Sequence, residues 1–224
     1  MAVAAFTTFG IVGAPQPANA LTCTLTAQIT GARQSSGTSM YYGNWLNIYN
    51  YNHEPNICAL VQDVLMVEMP STGGYVEFGF EQDSGDPATS DTFFTQYAAY
   101  PAGDTTVYFG TASTGTTYSI RAFDSATDGE WTLDETAGST FTTLFTTPFM
   151  AASTGLMSGD VIRLDDGDAA LLTNWADTQN RHSGGWGHWT NEVCEPGSNI
   201  PDWKMNFGTI GDFHTSNFTH SGAC

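Results

Sequence analysis

Residues 60–82, Leu60-Val-Gln-Asp-Val-Leu-Met-Val-Glu-Met-Pro-Ser-Thr-Gly-Gly-Tyr-Val-Glu-Phe-Gly-Phe-Glu-Gln82, decide the fold class. In the second half, Val76, Phe78 and Phe80 alternate with Tyr75, Glu77, Gly79 and Glu81. This two-residue period gives a β-strand one apolar and one polar face. In the first half, Leu65, Val67 and Met69 alternate with Val64, Met66 and Glu68, and Pro70-Ser71-Thr72-Gly73-Gly74 between the halves has turn chemistry. If both apolar sets share one core, the parity of the hairpin is fixed, because a one-residue slip would turn the phenylalanines to the wrong side. A four-residue loop over Ser71–Gly74 satisfies that parity and sets Glu68 directly opposite Glu77.

The same pattern continues in both directions. Short β-branched and aromatic runs between Gly, Pro, Asp and Ser clusters predict strands over 24–30, 42–51, 60–69, 75–82, 92–100, 105–110, 117–124, 130–134, 140–147 and 160–164. Helical periodicity is nearly absent, so the expected fold class is all-β: a two-sheet antiparallel β-sandwich of jelly-roll or concanavalin-like type. Residues 169–179 read two ways, since Leu171, Leu172 and Trp175 suit one stripe of a short helix or another strand. Residues 181–224, rich in Gly, Trp, His and Asn, read as a loop-rich extension pinned by a disulfide. No repeat or linker divides the chain, and residues 21–224 are read as one domain.

Residues 1–20 read as a secretory signal peptide. A mildly apolar stretch, Ala2 to Val12, leads to Pro15, Pro17 and the A-x-A triplet Ala18-Asn19-Ala20. No Lys or Arg precedes the apolar stretch, and a complete leader would need one upstream of Met1. Cys23, Cys58, Cys194 and Cys224 all follow the cleavage point, and their even number fits disulfides in an oxidising compartment. Three pairings are possible; the sequence-near one, Cys23–Cys58 with Cys194–Cys224, ties down both ends. The absence of C-x-x-C spacing argues against a thiolate zinc site or a redox pair. No later stretch reaches the ~20 continuous apolar residues of a membrane-spanning helix. These features together predict a secreted, extracellular protein.

The chain carries 23 acidic residues against five basic ones (Arg33, Arg121, Arg163, Arg181 and Lys204), for a net charge of −18. Such a surface cannot neutralise phosphates, which excludes nucleic acid and anionic lipid as partners.

Candidate chemistry centres on the polar face of the hairpin. Like charges at a cross-strand pair are destabilising unless they share a proton, bind a cation or face open water. In the segment Tyr42–Tyr51, Leu46 and Ile48 alternate with Trp45, Asn47, Tyr49 and Tyr51. Were this strand to neighbour the hairpin, aromatic rings, an amide and the carboxylates of Glu68, Glu77 and Glu81 would line one surface. Flat rings beside acids suit sugar binding. The leading reading is therefore a protein that binds an extracellular polymer such as carbohydrate through Trp45, Asn47, Tyr49, Tyr51 and Glu81. Two others stand beside it: an acid-type hydrolase, glycosidase or peptidase, with Glu68 and Glu77 as acid and base, and a structural or surface component whose glutamates face solvent.

Acid-rich turns at Asp83–Asp91, at Asp124–Glu130 and at Asp165-Asp166-Gly167-Asp168 offer oxygen ligands to calcium, with Asp165, Asp166 and Asp168 as the densest set. Ordinary β-turn composition accounts for the same residues, and no other cofactor is implied. His182 and His188, like His214 and His220, are six residues apart, too far along a strand to share a metal. Neither a G-x-S-x-G elbow nor a phosphate-cradling loop occurs. Asn217-Phe218-Thr219 is an N-glycosylation sequon.

The run Tyr75-Val-Glu-Phe-Gly-Phe-Glu-Gln82, followed by Tyr118-Ser-Ile-Arg-Ala-Phe-Asp124 and then Gly129-Glu-Trp131, resembles the strand order of secreted concanavalin-like sandwiches. It is similar to uncharacterised secreted bacterial proteins of that type and, more distantly, to glutamic peptidases, including the neprosin-like group. The resemblance covers Tyr42 to Leu164. It implies a Gln/Glu or Glu/Glu pair on the sheet, with Glu77 at one functional position. The later segment Asp160–Leu164 departs from the pattern, offering Asp160 and Arg163 where a glutamate is expected.

Overall fold

The alternation around Val76 becomes a ten-residue strand whose apolar side closes a sandwich of two antiparallel sheets. The structure is a computed structural model that describes residues 26–34, 40–52, 60–69, 74–83, 86–87, 89–98, 103–125, 129–148, 150, 155–164, 174–182, 185–190, 192–194, 203–207 and 213–217. The strands are β1 (Thr26–Gln34), β2 (Gly43–Tyr49), β3 (Leu60–Met69), β4 (Gly74–Asp83), β5 (Ser90–Ala98), β6 (Asp104–Ser113), β7 (Thr117–Phe123), β8 (Thr132–Thr136), β9 (Thr142–Thr146), β10 (Gly155–Leu164), β11 (Asn174–His182), β12 (Gly185–His188), β13 (Glu192–Cys194), β14 (Trp203–Phe207) and β15 (Phe213–Asn217). One sheet has seven strands in the order β13-β1-β10-β3-β4-β5-β6. The other has eight, in the order β14-β15-β11-β2-β7-β8-β9, with β12 paired to β11. Among the described residues no helix is long and apolar enough to cross a membrane.

Each strand predicted between residues 24 and 164 is present, with β3 at its expected ends and the others with shifted ends, and the ambiguous 169–179 region contributes to strand β11. Within 181–224, read as loop-rich, the described residues form four short strands, β12 to β15. In β14, Trp203, Met205 and Phe207 do alternate, but the strand is only five residues long. It pairs with the next strand, β15, but the pairing of β15 with β11 is a long-range contribution that local composition does not announce.

The hairpin keeps the predicted parity in a register two residues away from the expected one. Gly74 joins the strand and pairs with Met69, so Val67 faces Val76, Glu68 faces Tyr75 and Met66 faces Glu77. The loop still has four residues, now 70–73. A two-residue shift preserves which side each chain presents, so the apolar set is undisturbed.

That apolar set forms the core. Phe80 lies 5.1 Å from Phe93 and 5.4 Å from Tyr118, and Phe93 lies 5.1 Å from Tyr118, all in edge-to-face geometry. Leu65, Val67, Val76 and Phe78 from one sheet meet Leu46, Ile48, Ile120 and Leu133 from the other, all fully buried. Each such side chain contributes roughly 1.5–3 kcal/mol on burial. Buried polar groups then set how one sheet sits on the other. Asn44 Nδ2 donates to the Met66 carbonyl at 3.2 Å, Asn50 Nδ2 to the Ala112 carbonyl at 3.3 Å, and the Tyr118 hydroxyl accepts from Ser113 N at 2.9 Å. These bonds are directional, whereas apolar burial is not.

Gly79 marks the closest approach within the hairpin. A Cβ there would stand 1.9 Å from the Asp63 carbonyl oxygen, a backbone atom held by the ladder, whereas a Cβ on Gly110 would meet nothing within 4 Å. Gly79→Ala is expected to lower stability by about 2 kcal/mol or more, read as a lower urea midpoint. Gly110→Ala should stay within ~0.5 kcal/mol of the parent; equal midpoints for the two variants would contradict this packing.

Candidate functional site

Burial of Val76, Phe78 and Phe80 turns Tyr75, Glu77, Gly79 and Glu81 to the outward face of the seven-stranded sheet. Three adjacent rows cross that face through the ladders of β3, β4, β5 and β6. One row is Val64–Gly79–Phe94–Tyr108, the next is Met66–Glu77–Gln96–Thr106, and the third is Glu68–Tyr75–Ala98–Asp104. Val64 and Phe94 are fully buried and form a small apolar cluster with Met66. Glu77 and Gln96 thus stand beside an apolar floor and are themselves only 5% and 8% exposed.

The residue beside Glu77 on β5 is an amide rather than a second carboxylate. Gln96 is the cross-strand partner of Glu77, while Glu68 sits one row away on the diagonal. Adjacent pairs have Cβ atoms about 5 Å apart and diagonal ones about 7–8 Å. Glu68 is neutralised by Arg33, which reaches it from β1 across β10 in a partly exposed ion pair. Gln96 Nε2 donates to the Tyr75 hydroxyl at 2.9 Å, and Tyr75 in turn hydrogen-bonds Asp104. The sequence Asp104–Tyr75–Gln96 therefore fixes the Gln96 amide next to Glu77. Burial, followed by the charges of Glu77 and Asp104, pushes the Tyr75 phenol well above its ordinary range, so it remains a neutral donor.

The other residues singled out from the sequence are dispersed. Glu81 lies on the same outward face and accepts from Gln62 Nε2 at 2.6 Å. Trp45, Asn47 and Tyr49 belong to β2 at the centre of the other sheet, and Tyr51 follows them, 4.4 Å from Tyr49. The expected adjacency of that strand to the hairpin is corrected: the strand faces the hairpin through the core, and its aromatic side looks away from it. Asp160 pairs with Asp63 in the backbone ladder, in a different row from Glu77, whose row continues through Met66 to Met157. Cys23, Cys58, Cys224, Asp165, Asp166 and Asp168 lie outside the described residues, and Cys194 enters only through the β13 ladder, opposite Ala32.

No group of three or more His, Cys, Asp or Glu suited to a metal ion occurs among the described residues. His188 Nδ1 lies 3.3 Å from Asp177 Oδ1, while His182 Nδ1 contacts the Met40 carbonyl at 3.2 Å. Gln96 escaped the sequence reading because its place beside Glu77 depends on the β4–β5 register, which strand periodicity alone does not set. Its alternation with the core-facing Thr95 was the available signal.

No family model matches the chain, and no curated protein matches it in sequence. Similarity appears at the level of solved structures. Scytalido-glutamic peptidase bound to a transition-state analog inhibitor superposes with a TM-score of 0.61 at 10% identity, covering 87% of this chain and all of that one. The same peptidase with a peptide-based transition-state analog gives 0.59 at 11% identity over the same coverage. SCP-B, a member of the eqolisin family of peptidases in complex with the tripeptide Ala-Ile-His, gives 0.56 at 9% identity, again with 87% and 100% covered. At such identities the likeness establishes a shared fold: this chain is built on the β-sandwich seen in the glutamic peptidases.

Tyr75 has a consequence for stability. Its raised folded pKa means that its contribution is fully present below about pH 10, the unfolded value, and is lost as pH rises above it. From about pH 9 to 11 the urea midpoint of the parent is expected to fall more steeply than that of Tyr75→Phe; parallel profiles would show that Tyr75 does not hold its proton in this way.

Proposed function

We propose that the protein is an acid-type hydrolase of the glutamic-peptidase kind, acting outside the cell, with Glu77 and Gln96 as its working pair. The observation that carries this reading is their placement: a carboxylate and an amide directly opposite each other on β4 and β5, nearly enclosed, beside an apolar floor. The shared sandwich of the eqolisins supports it.

In this scheme Glu77 is the general base. It takes a proton from water as the oxygen attacks the scissile carbonyl carbon, and later returns a proton to the departing amine nitrogen. The negative charge on the tetrahedral oxygen needs a donor that is already aimed, and an amide N–H of Gln96 supplies one. A neutral amide suits the position because a second carboxylate beside Glu77 would repel that oxyanion. Glu68, held in its ion pair with Arg33, takes no proton in the reaction. The sequence expectation of a Glu68/Glu77 dyad is thereby replaced in this proposal by Glu77/Gln96.

The test is hydrolysis of an unfolded protein substrate at mildly acidic pH. Glu77→Gln is expected to reduce kcat/KM by a factor of about 10³ or more and Gln96→Ala by about 10²–10³. Glu68→Gln should retain activity within about tenfold. Absence of cleavage by the parent, or full activity of Glu77→Gln, would remove the proposal.

A further inference from the structure

The second concentration of chemistry lies on the opposite side of the sandwich, on the outward face of the eight-stranded sheet. Because Leu46, Ile48, Ile120 and Ala122 point into the core, Trp45, Asn47 and Tyr49 of β2 and Ser119, Arg121 and Phe123 of β7 face outward. Trp45 lies 5.5 Å from Trp186 and 5.8 Å from Phe141, and Trp186 lies 6.2 Å from Phe123. All four rings are only partly buried. Trp186 gains its place through Gly43, where a Cβ would stand 2.7 Å from the indole. Trp45 is held by its own Nε1–H, which donates to Ser119 Oγ at 2.6 Å.

Among the described residues, the arginines of this face are already committed. The Arg121 guanidinium lies 3.7 Å from the Phe141 ring centroid and 4.9 Å from that of Phe123, and its Nε and Nη2 donate to Asp134 Oδ2 at 3.0 and 2.6 Å. Asp134 also accepts from Thr143 Oγ1 at 2.7 Å. Arg181 donates to the carbonyls of Asp124 and Ser125. Asp177 is paired with His188 and accepts from Gln179 Nε2. Among the described residues the surface thus combines aromatic rings with neutral amides and hydroxyls, and Asp134 and Asp177 are engaged by partners within the face.

We propose that this face binds a neutral polysaccharide, as a site separate from the Glu77/Gln96 pair. Charge selects the occupant. A chain of net charge −18 repels anionic polymers, and a cationic partner would require open carboxylates where Asp134 and Asp177 are engaged. A neutral sugar chain meets the surface on its own terms: ring C–H faces pack on Trp45, Trp186 and Phe141, while hydroxyls bond to Asn47, which stands between Trp45 and Tyr49 along β2.

The test is depletion binding of the full chain to microcrystalline cellulose, chitin and curdlan, with polygalacturonate as the anionic probe. Retention on at least one neutral polymer and none on polygalacturonate is expected. Trp45→Ala and Trp186→Ala should each weaken it about tenfold or more. Asn47→Ala, a milder change at a partly exposed position, should weaken it about threefold with the urea midpoint unchanged. Failure to bind all three neutral polymers, preference for polygalacturonate, or binding indifferent to all three substitutions would overturn the proposal.

Discussion

The structure depends on the alternation of β4. Val76, Phe78 and Phe80 enter the core together, and Phe80 with Phe93 and Tyr118 makes the aromatic contact that joins the sheets. Removing three large side chains from water is worth several kcal/mol in total, far more than any one polar contact on the other side of the strand. The outward position of Tyr75, Glu77 and Glu81 follows as a geometric consequence. A carboxylate that the core has turned outward has nevertheless become 95% covered, since Glu77 retains only 5% of its exposure. Burial of an acid at that level is costly without polar company, and the amide row beside it supplies some.

What could be read in the sequence was the sense of each strand, because periodicity two states which residues face inward. Leu46 and Ile48, like Val76 and Phe78, fall where their alternation puts them. Periodicity does not state to which sheet a strand belongs. Trp45, Asn47 and Tyr49 therefore looked like neighbours of Glu77, and the fold separates them by the full thickness of the sandwich. Nor does it fix register to better than two residues. Gly74 can end a turn or begin a ladder with equal ease, and its choice of the ladder moved Glu68 opposite Tyr75. The outward sense of Gln96 was legible from its alternation with Thr95, but its place beside Glu77 was not, since that is the outcome of a second register stacked on the first.

The two faces of the molecule solve different electrostatic problems with the same few cations. On the seven-stranded sheet, Arg33 offsets Glu68 in the row that also holds the Tyr75 phenol, and the neighbouring row is left to Glu77 and the Gln96 amide. On the eight-stranded sheet, Arg121 lies against Phe141 and satisfies Asp134, so its charge organises the rings instead of projecting from them. A strongly acidic protein with five basic residues thus commits three of them to holding surface architecture in place. Under the two proposals, covalent chemistry falls to one face and adhesion to the other, and the core keeps the two faces apart.

The central claim is that Glu77 and Gln96 act as one unit, and a double-mutant cycle on kcat/KM tests it most directly. If Glu77 activates water and Gln96 stabilises the oxyanion formed by that same attack, Glu77→Gln combined with Gln96→Ala should be about as slow as Glu77→Gln alone. Strict additivity, with the double variant slower by the full product of the two single effects, would contradict a shared step and with it the account of this face.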